Sequence, residues 1–513
     1  MSEEQSGKRA FALPKGFWGI LALVLWALGV VALLDRTPYG LDEATARAVL
    51  FLWSISDQVV SPIVTLGIPD FRAVYLIPAG VFFSGSLLAA KLCTLLVFAA
   101  AAIGLYRWRL DQGDSETALL ATGLVLLSPL AVTSIDRIAI GPYLLLTFLL
   151  GAWADKTYRS TRVRFGGFYF AQLLLSIAAT SLHPGGLAYP IVLAASWLRE
   201  KPPEPLEPGM IPGRERTHVL LGVAIATLLG ALLAAGWPHQ TWFANPVTGL
   251  ARQIFGLPSD ADLAGGNAIF WISGSVLVVA LLASLWASRS QILSDRLTAT
   301  LVLAVAITAF AGDTTYSLLA FVLLLYLGFR LLLRVRVGKA AGLIGQRGVA
   351  LALLIALSTL FLSADRSRYA GIRRGPELSA QDQLIAALSD TIQQLHATPA
   401  QPGLVTEEQK AKSGPRVASQ WPGRTMIACR CSTLPLPPGS EDPAQFAANL
   451  RTLDFVLFDP KDPANSALSR GFALLGGSQA ETIALQAGGV LLRLRPAATQ
   501  TQPPAAPAPG VRG

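Results

Sequence analysis

Stretches of roughly 17 to 25 predominantly apolar residues, each long enough to cross a bilayer core of about 30 Å, recur through the first 363 residues of this chain. That repetition restricts the fold more than any motif does. In lipid every backbone N–H and C=O must be satisfied within the chain, so such runs fold as helices. Composition agrees: 14% of the residues are charged, with a mean hydropathy of +0.50, where soluble domains carry about 25% charge. The net charge of +9 is accounted for by Lys and Arg in cytoplasmic loops, so nucleic acid is not expected as a partner.

Residues 1–16 are polar, with Lys8, Arg9 and Lys15 ahead of the first run, Phe17 to Leu34. That run lacks a small-residue cleavage site, which makes it an uncleaved anchor with a cytoplasmic amino terminus. Further runs follow at Ser86–Tyr106, Glu116–Ser134, Ile138–Ala154, Phe165–Ser181, Leu187–Leu198, Val219–Gly236, Ala268–Ala287, Leu297–Ala311, Tyr316–Phe329 and Gly348–Ser363. About eleven transmembrane helices are expected, with basic residues falling on one side at nearly every loop. The transmembrane domain then spans 17–363, with two long external loops, 35–85 and 237–267. External Arg residues are few: Arg36, Arg47, Arg72, Arg137 and Arg252. Lys91, near the start of the second helix, is expected to snorkel outward.

Residues 364–496 change character and read as a small α/β domain outside the membrane, and 497–513 is a Pro- and Ala-rich tail. Leu378 to His396 has helical periodicity with Ser379 as N-cap. Strands are expected at Thr425–Ala428, Leu453–Phe458, Phe472–Leu475, Thr482–Leu485 and Val490–Leu494, the last two joined as a hairpin. Cys429 and Cys431 form a lone C-x-C, too few ligands for zinc. A disulfide between them is open, although the one-residue spacing strains it.

Against this frame the stretch Gly40-Leu41-Asp42-Glu43-Ala44 stands out, because two adjacent carboxylates open the first external loop. The segment after them, Asp42 to Ile55, has helical spacing and suits the membrane interface. A span followed by a long external loop opening on Asp-Glu resembles the glycosyltransferase C superfamily, in its protein O-mannosyltransferase and aminoarabinose transferase branch. Ala121 to Pro142, with Ser-Pro-Leu and then Arg137 at an outer turn, resembles the third and fourth helices of that branch. Two positions depart from it: Gly141-Pro142 stands where an acidic residue is common, and His183-Pro184-Gly185 where Lys-Gly is common.

The resemblance implies transfer of a sugar from a polyprenyl-phosphate donor to an extracytoplasmic glycan, lipid or protein acceptor, in a bacterial inner membrane. Asp42 is the expected general base, with Glu43 and Asp136 beside it in the catalytic set; Asp42 and Glu43 as plain helix N-terminal charges are the alternative. Arg72, Arg137 and Arg252 are candidates for the donor phosphate, against a role as headgroup anchors. His183, His239 and Trp242 are candidates for the acceptor groove, His183 otherwise being a polar cap of a broken helix. No resident cofactor is assigned, and a divalent cation at the phosphate stays open. A non-catalytic assembly subunit of the same fold and a lipid or solute transporter are the competing functions.

Overall fold

A computed structural model describes residues 17–55, 70–83, 86–161, 165–199, 214–233, 250, 254, 266–309, 314–334, 343–374, 378–397, 415–440, 442–475, 480–486 and 489–494. The chain divides into two compact units. The first takes Met1–Thr37, Arg47–Ser61 and Gly67–Pro376, and the second takes Pro38–Ala46, Pro62–Leu66 and Glu377–Gly513.

The first unit is helical. Its elements are α1 (Phe17–Ala32), α2 (Glu43–Ile55, whose first turn is grouped with the second unit), α3 (Arg72–Phe83), α4 (Leu87–Leu110), α5 (Ser115–Leu127), α6 (Pro129–Asp136), α7 (Ile140–Thr161), α8 (Phe165–Leu182), α9 (Ala188–Arg199), α10 (Arg214–Leu233), α11 (Gly266–Ala287), α12 (Arg289–Ser294), α13 (Arg296–Thr308), α14 (Thr314–Arg334) and α15 (Leu343–Arg374). Among the described residues four helices are long and apolar enough to cross a membrane, Leu87–Leu110, Phe165–Leu182, Glu215–Leu233 and Thr315–Leu333, and a fifth if α5 and α6 form one bent span. Shorter apolar helices accompany them. α14 lies innermost, with Leu318 to Leu323 all nearly fully buried. Leu96, Leu228, Ile272 and Val276 point outward instead, as an apolar outer face suited to lipid requires.

Two breaks in this unit place polar groups. The run read as a single span from Glu116 to Ser134 bends by 53° between α5 and α6. Pro129 sits in the first turn of α6 and Ser128 caps it, accepting from the Ala131 N–H; proline is preorganised for a helix start and cannot continue the preceding one. The His183-Pro184-Gly185-Gly186 turn is a short 3-10 segment between α8 and α9, with His183 as its N-cap. A Cβ at Gly186 would collide with the Ala179 carbonyl, so the close return of the chain requires glycine there.

The second unit is a small α/β domain. Its sheet has β1 (Arg416–Ser419), β2 (Ser432–Pro435), β3 (Phe455–Phe458), β4 (Ala480–Gln486) and β5 (Gly489–Leu494), in the order β2-β1-β3-β5-β4. The first three run parallel, and β5 is antiparallel to both β3 and β4. α16 (Ala380–Ala397), α17 (Pro422–Cys429), α18 (Pro443–Leu450) and α19 (Ser466–Leu475) complete it. The expected hairpin pairs Gln486 with Gly489, and Ser379 caps α16. Two expected strands are helices. Thr425–Ala428 lies in α17, started by Pro422 in its first turn. Phe472–Leu475 ends α19, where Leu468, Phe472 and Leu475 recur at helical spacing. β1 and β2 fall in stretches not read as strands. Cys429 and Cys431 are joined as a disulfide.

Candidate functional site

The segment Pro38–Ala46 brings the acidic pair into the second unit. Gly40 adopts a φ of +78°, open to glycine without strain, and turns the chain into α2. Asp42 caps that helix: its Oδ1 accepts from the Thr45 N–H at 2.6 Å and its carbonyl from the Ala46 N–H at 2.9 Å. Its carboxylate is nonetheless exposed. Glu43 turns elsewhere. Its Oε1 accepts from the Gly423 N–H at 2.7 Å and its Oε2 from the Arg424 N–H at 3.2 Å, both at the start of α17. Tyr39 packs on the core formed by Leu384, Leu388, Phe455 and Leu491, and Leu41 is buried.

Asp136 ends α6 inside the first unit and is buried. Its Oδ1 accepts from Lys91 Nζ at 2.8 Å and from the Asp35 N–H at 2.9 Å, while its Oδ2 is bound by the Arg368 guanidinium. Lys91 also donates to the Asp35 carbonyl at 2.6 Å. Arg368 reaches the Leu33 carbonyl and the Thr133 hydroxyl, each at 3.4 Å. Two cations and one carboxylate therefore tie together the exit of α1, the start of α4, the end of α6 and the end of α15. Lys91 is the correction: its side chain is 1% exposed, turned inward because a buried carboxylate satisfies it.

Arg72 is also fully buried. Its Nε and Nη2 bond both oxygens of Asp70, the Nη2 contact measuring 2.5 Å, and its Nη1 donates to the Ile138 carbonyl at 2.9 Å. Ile138 has a positive φ of 51°, an unusual conformation for a β-branched residue, and this bond holds its carbonyl. Arg137, the C-cap of α6, is exposed. His183 is buried and its Nδ1 accepts from the Gly185 N–H at 3.0 Å. Arg252, His239 and Trp242 lie outside the described residues.

The structure thus joins Asp136 to Lys91, Arg368 and Asp35, none of which was singled out as a site residue from sequence. A signal existed for Lys91, since a lone cation within an apolar run must find a partner. Arg368 had none, because it follows the last expected span. Among the described residues no group of three or more His, Cys, Asp or Glu side chains is placed to hold a metal ion.

No protein-family model matches the chain, and no curated protein matches it. Solved structures do. ArnT from Cupriavidus metallidurans, in a crystal structure bound to undecaprenyl phosphate, superposes with a TM-score of 0.52 at 13% identity, over 93% of this chain and 98% of that one. The same protein in its apo state gives 0.51 at 13% identity, over 93% and 97%. The chain therefore shares the fold of these ArnT structures over nearly its whole length.

Proposed function

We propose that this protein is an integral-membrane glycosyltransferase that moves a sugar from a polyprenyl-phosphate carrier to an acceptor outside the cytoplasm, with Asp42 as general base. The observation that carries this is the near end-to-end likeness to a protein solved with undecaprenyl phosphate. Asp42 supports it: a carboxylate exposed at the head of a helix can reach an acceptor, whereas Asp70 and Asp136 are buried.

In the reaction the acceptor hydroxyl oxygen bonds to the anomeric carbon as the bond from that carbon to the phosphate oxygen breaks. The hydroxyl proton passes to Asp42, and the lipid phosphate leaves with the bonding pair. Developing phosphate charge calls for a cation. The Cys429–Cys431 disulfide supports an oxidising compartment for the second unit, hence an extracytoplasmic carboxy terminus in an inner-membrane protein.

The test uses purified protein in liposomes carrying a panel of undecaprenyl-phosphate sugars, with release of undecaprenyl phosphate as the readout. Asp42→Asn is expected to lower release by about 10²-fold or more, the range for loss of a general base. Wild-type turnover in that variant would remove the base role. Undecaprenyl phosphate bound without release from any carrier would favour the second reading, an assembly subunit, for which the internal neutralisation of Arg72 and Asp136 is the supporting observation.

A further inference from the structure

We infer that Glu43 is a positioning residue, and that the carboxy-terminal domain holds the base-bearing segment in place by binding the Glu43 carboxylate at the start of α17. The inference rests on the reading of Asp42 as the base and adds what fixes it.

The first turn of a helix leaves N–H groups without intrahelical partners. α17 opens on Trp421, whose side chain makes no capping bond, and on Pro422, which has no N–H. The next two N–H groups, of Gly423 and Arg424, are satisfied by a carboxylate 380 positions earlier in the chain. Charge-assisted bonds to backbone N–H groups at a helix start are among the stronger ones available.

Independent features agree. A Cβ on Gly423 would lie 2.8 Å from Glu43 Oε1 and 3.2 Å from the Ala46 Cβ, so glycine permits this approach. The Arg424 guanidinium is engaged by Asp382 at 2.6 Å and Gln381 at 2.9 Å, which leaves the main chain to bind Glu43. On the other side of Asp42, Tyr39 packs into the domain core and Leu41 is buried. Asp42 is therefore an exposed residue between two anchors, Tyr39–Leu41 and Glu43. An exposed base held this way keeps its orientation through its neighbours in the chain.

The experiment uses the full chain in lipid nanodiscs and reads hydrogen exchange at residues 42–46 and 423–425 beside transfer kinetics. Glu43→Ala is expected to speed exchange in both segments and to lower kcat by on the order of 10-fold, the scale of one hydrogen bond to a charged group, with the KM for the carrier unchanged. Glu43→Gln keeps a neutral acceptor and should recover most of both losses. Gly423→Ala leaves both acidic residues in the chain but sets a methyl group against Glu43 Oε1, and should reproduce the Glu43→Ala phenotype; it and Glu43→Gln carry the test if Glu43→Ala does not fold.

Wild-type exchange in both Glu43→Ala and Gly423→Ala would overturn the anchoring. Faster exchange with unchanged kcat, in a protein that Asp42→Asn inactivates, would overturn the positioning role while leaving the base. Full turnover in Asp42→Asn would overturn the base reading, and with it the positioning role. The exchange data would still decide whether Glu43 anchors the segment.

Discussion

Asp136 and Asp42 both sit at helix termini, and the structure treats them in opposite ways. Asp136 closes α6 in the first unit, buried, with both oxygens taken by Lys91, Arg368 and the Asp35 N–H. Asp42 opens α2 in the segment belonging to the second unit, exposed, with Oδ1 engaged by the Thr45 N–H. A carboxylate bound by two cations must break those bonds before it can accept a proton from a substrate. One exposed at a helix start lies within reach of solvent. The same residue type thus serves as a buried junction in one unit and as an exposed helix cap in the other. Sequence alone, which shows only an Asp near an outer turn in each case, does not separate them.

The largest effect expected from this contrast is on stability. Asp136→Asn should destabilise the protein by about 3 to 5 kcal/mol, the cost of removing one member of a buried ion pair. The amide would present N–H donors toward Arg368 or Lys91, which already donate, and Lys91 has almost no access to solvent. Thermal unfolding in detergent, with expression level as a second reading, checks it. An Asp136→Asn protein as stable as wild type would mean that the cations are not held by this carboxylate, and the contrast would collapse.

The same substitution at Asp42 should do the reverse. Asn caps helices about as well as Asp, so Asp42→Asn should change stability by no more than a few tenths of a kcal/mol, whereas Asp42→Ala should cost about 1 kcal/mol by losing the cap. Both should lower transfer by about 10²-fold or more. If Asp42→Asn proved as destabilising as Asp136→Asn, the residue would be structural, and the loss of activity could not be assigned to proton transfer.

How much of this was legible follows from the kind of information each feature needs. The helical architecture, the α/β character of the carboxy-terminal region and its final hairpin were readable, because periodicity and turn residues are local. Thr425–Ala428 and Phe472–Leu475 were misread as strands because short apolar runs fit either period. Pro422 at a helix start and the spacing of Leu468 with Phe472 were the deciding signals. The pairing of Lys91 with Asp136 and of Glu43 with Gly423 was not readable, since it joins residues 45 and 380 positions apart. Nor was the assignment of Pro38–Ala46 to the carboxy-terminal unit. That assignment depends on Tyr39 finding a core built from the other end of the chain. Arg72 was readable as a cation in a loop but not as one neutralised two residues away by Asp70.

The smallest effect concerns Tyr39, three residues before Asp42. Burial, and then the charges of Asp390 and Asp382, raise its pKa above the usual 10.0. The sign follows from linkage. Below pH 10 the phenol is protonated in both folded and unfolded chains and contributes no pH dependence. As pH climbs past 10 the unfolded chain releases this proton first, so stability falls with rising pH until the folded Tyr39 ionises as well. Tyr39→Phe keeps the ring on the core and removes the proton. Unfolding followed by fluorescence across the alkaline range should therefore show a shallower loss of stability in Tyr39→Phe than in wild type, with the two indistinguishable at pH 7 to 9. Hydrogen exchange at residues 38–46 should show the same difference locally, since the destabilised contact is the one that anchors this segment. Identical alkaline limbs in both proteins would place Tyr39 in solvent and leave Glu43 as the sole polar anchor argued for the Asp42 segment.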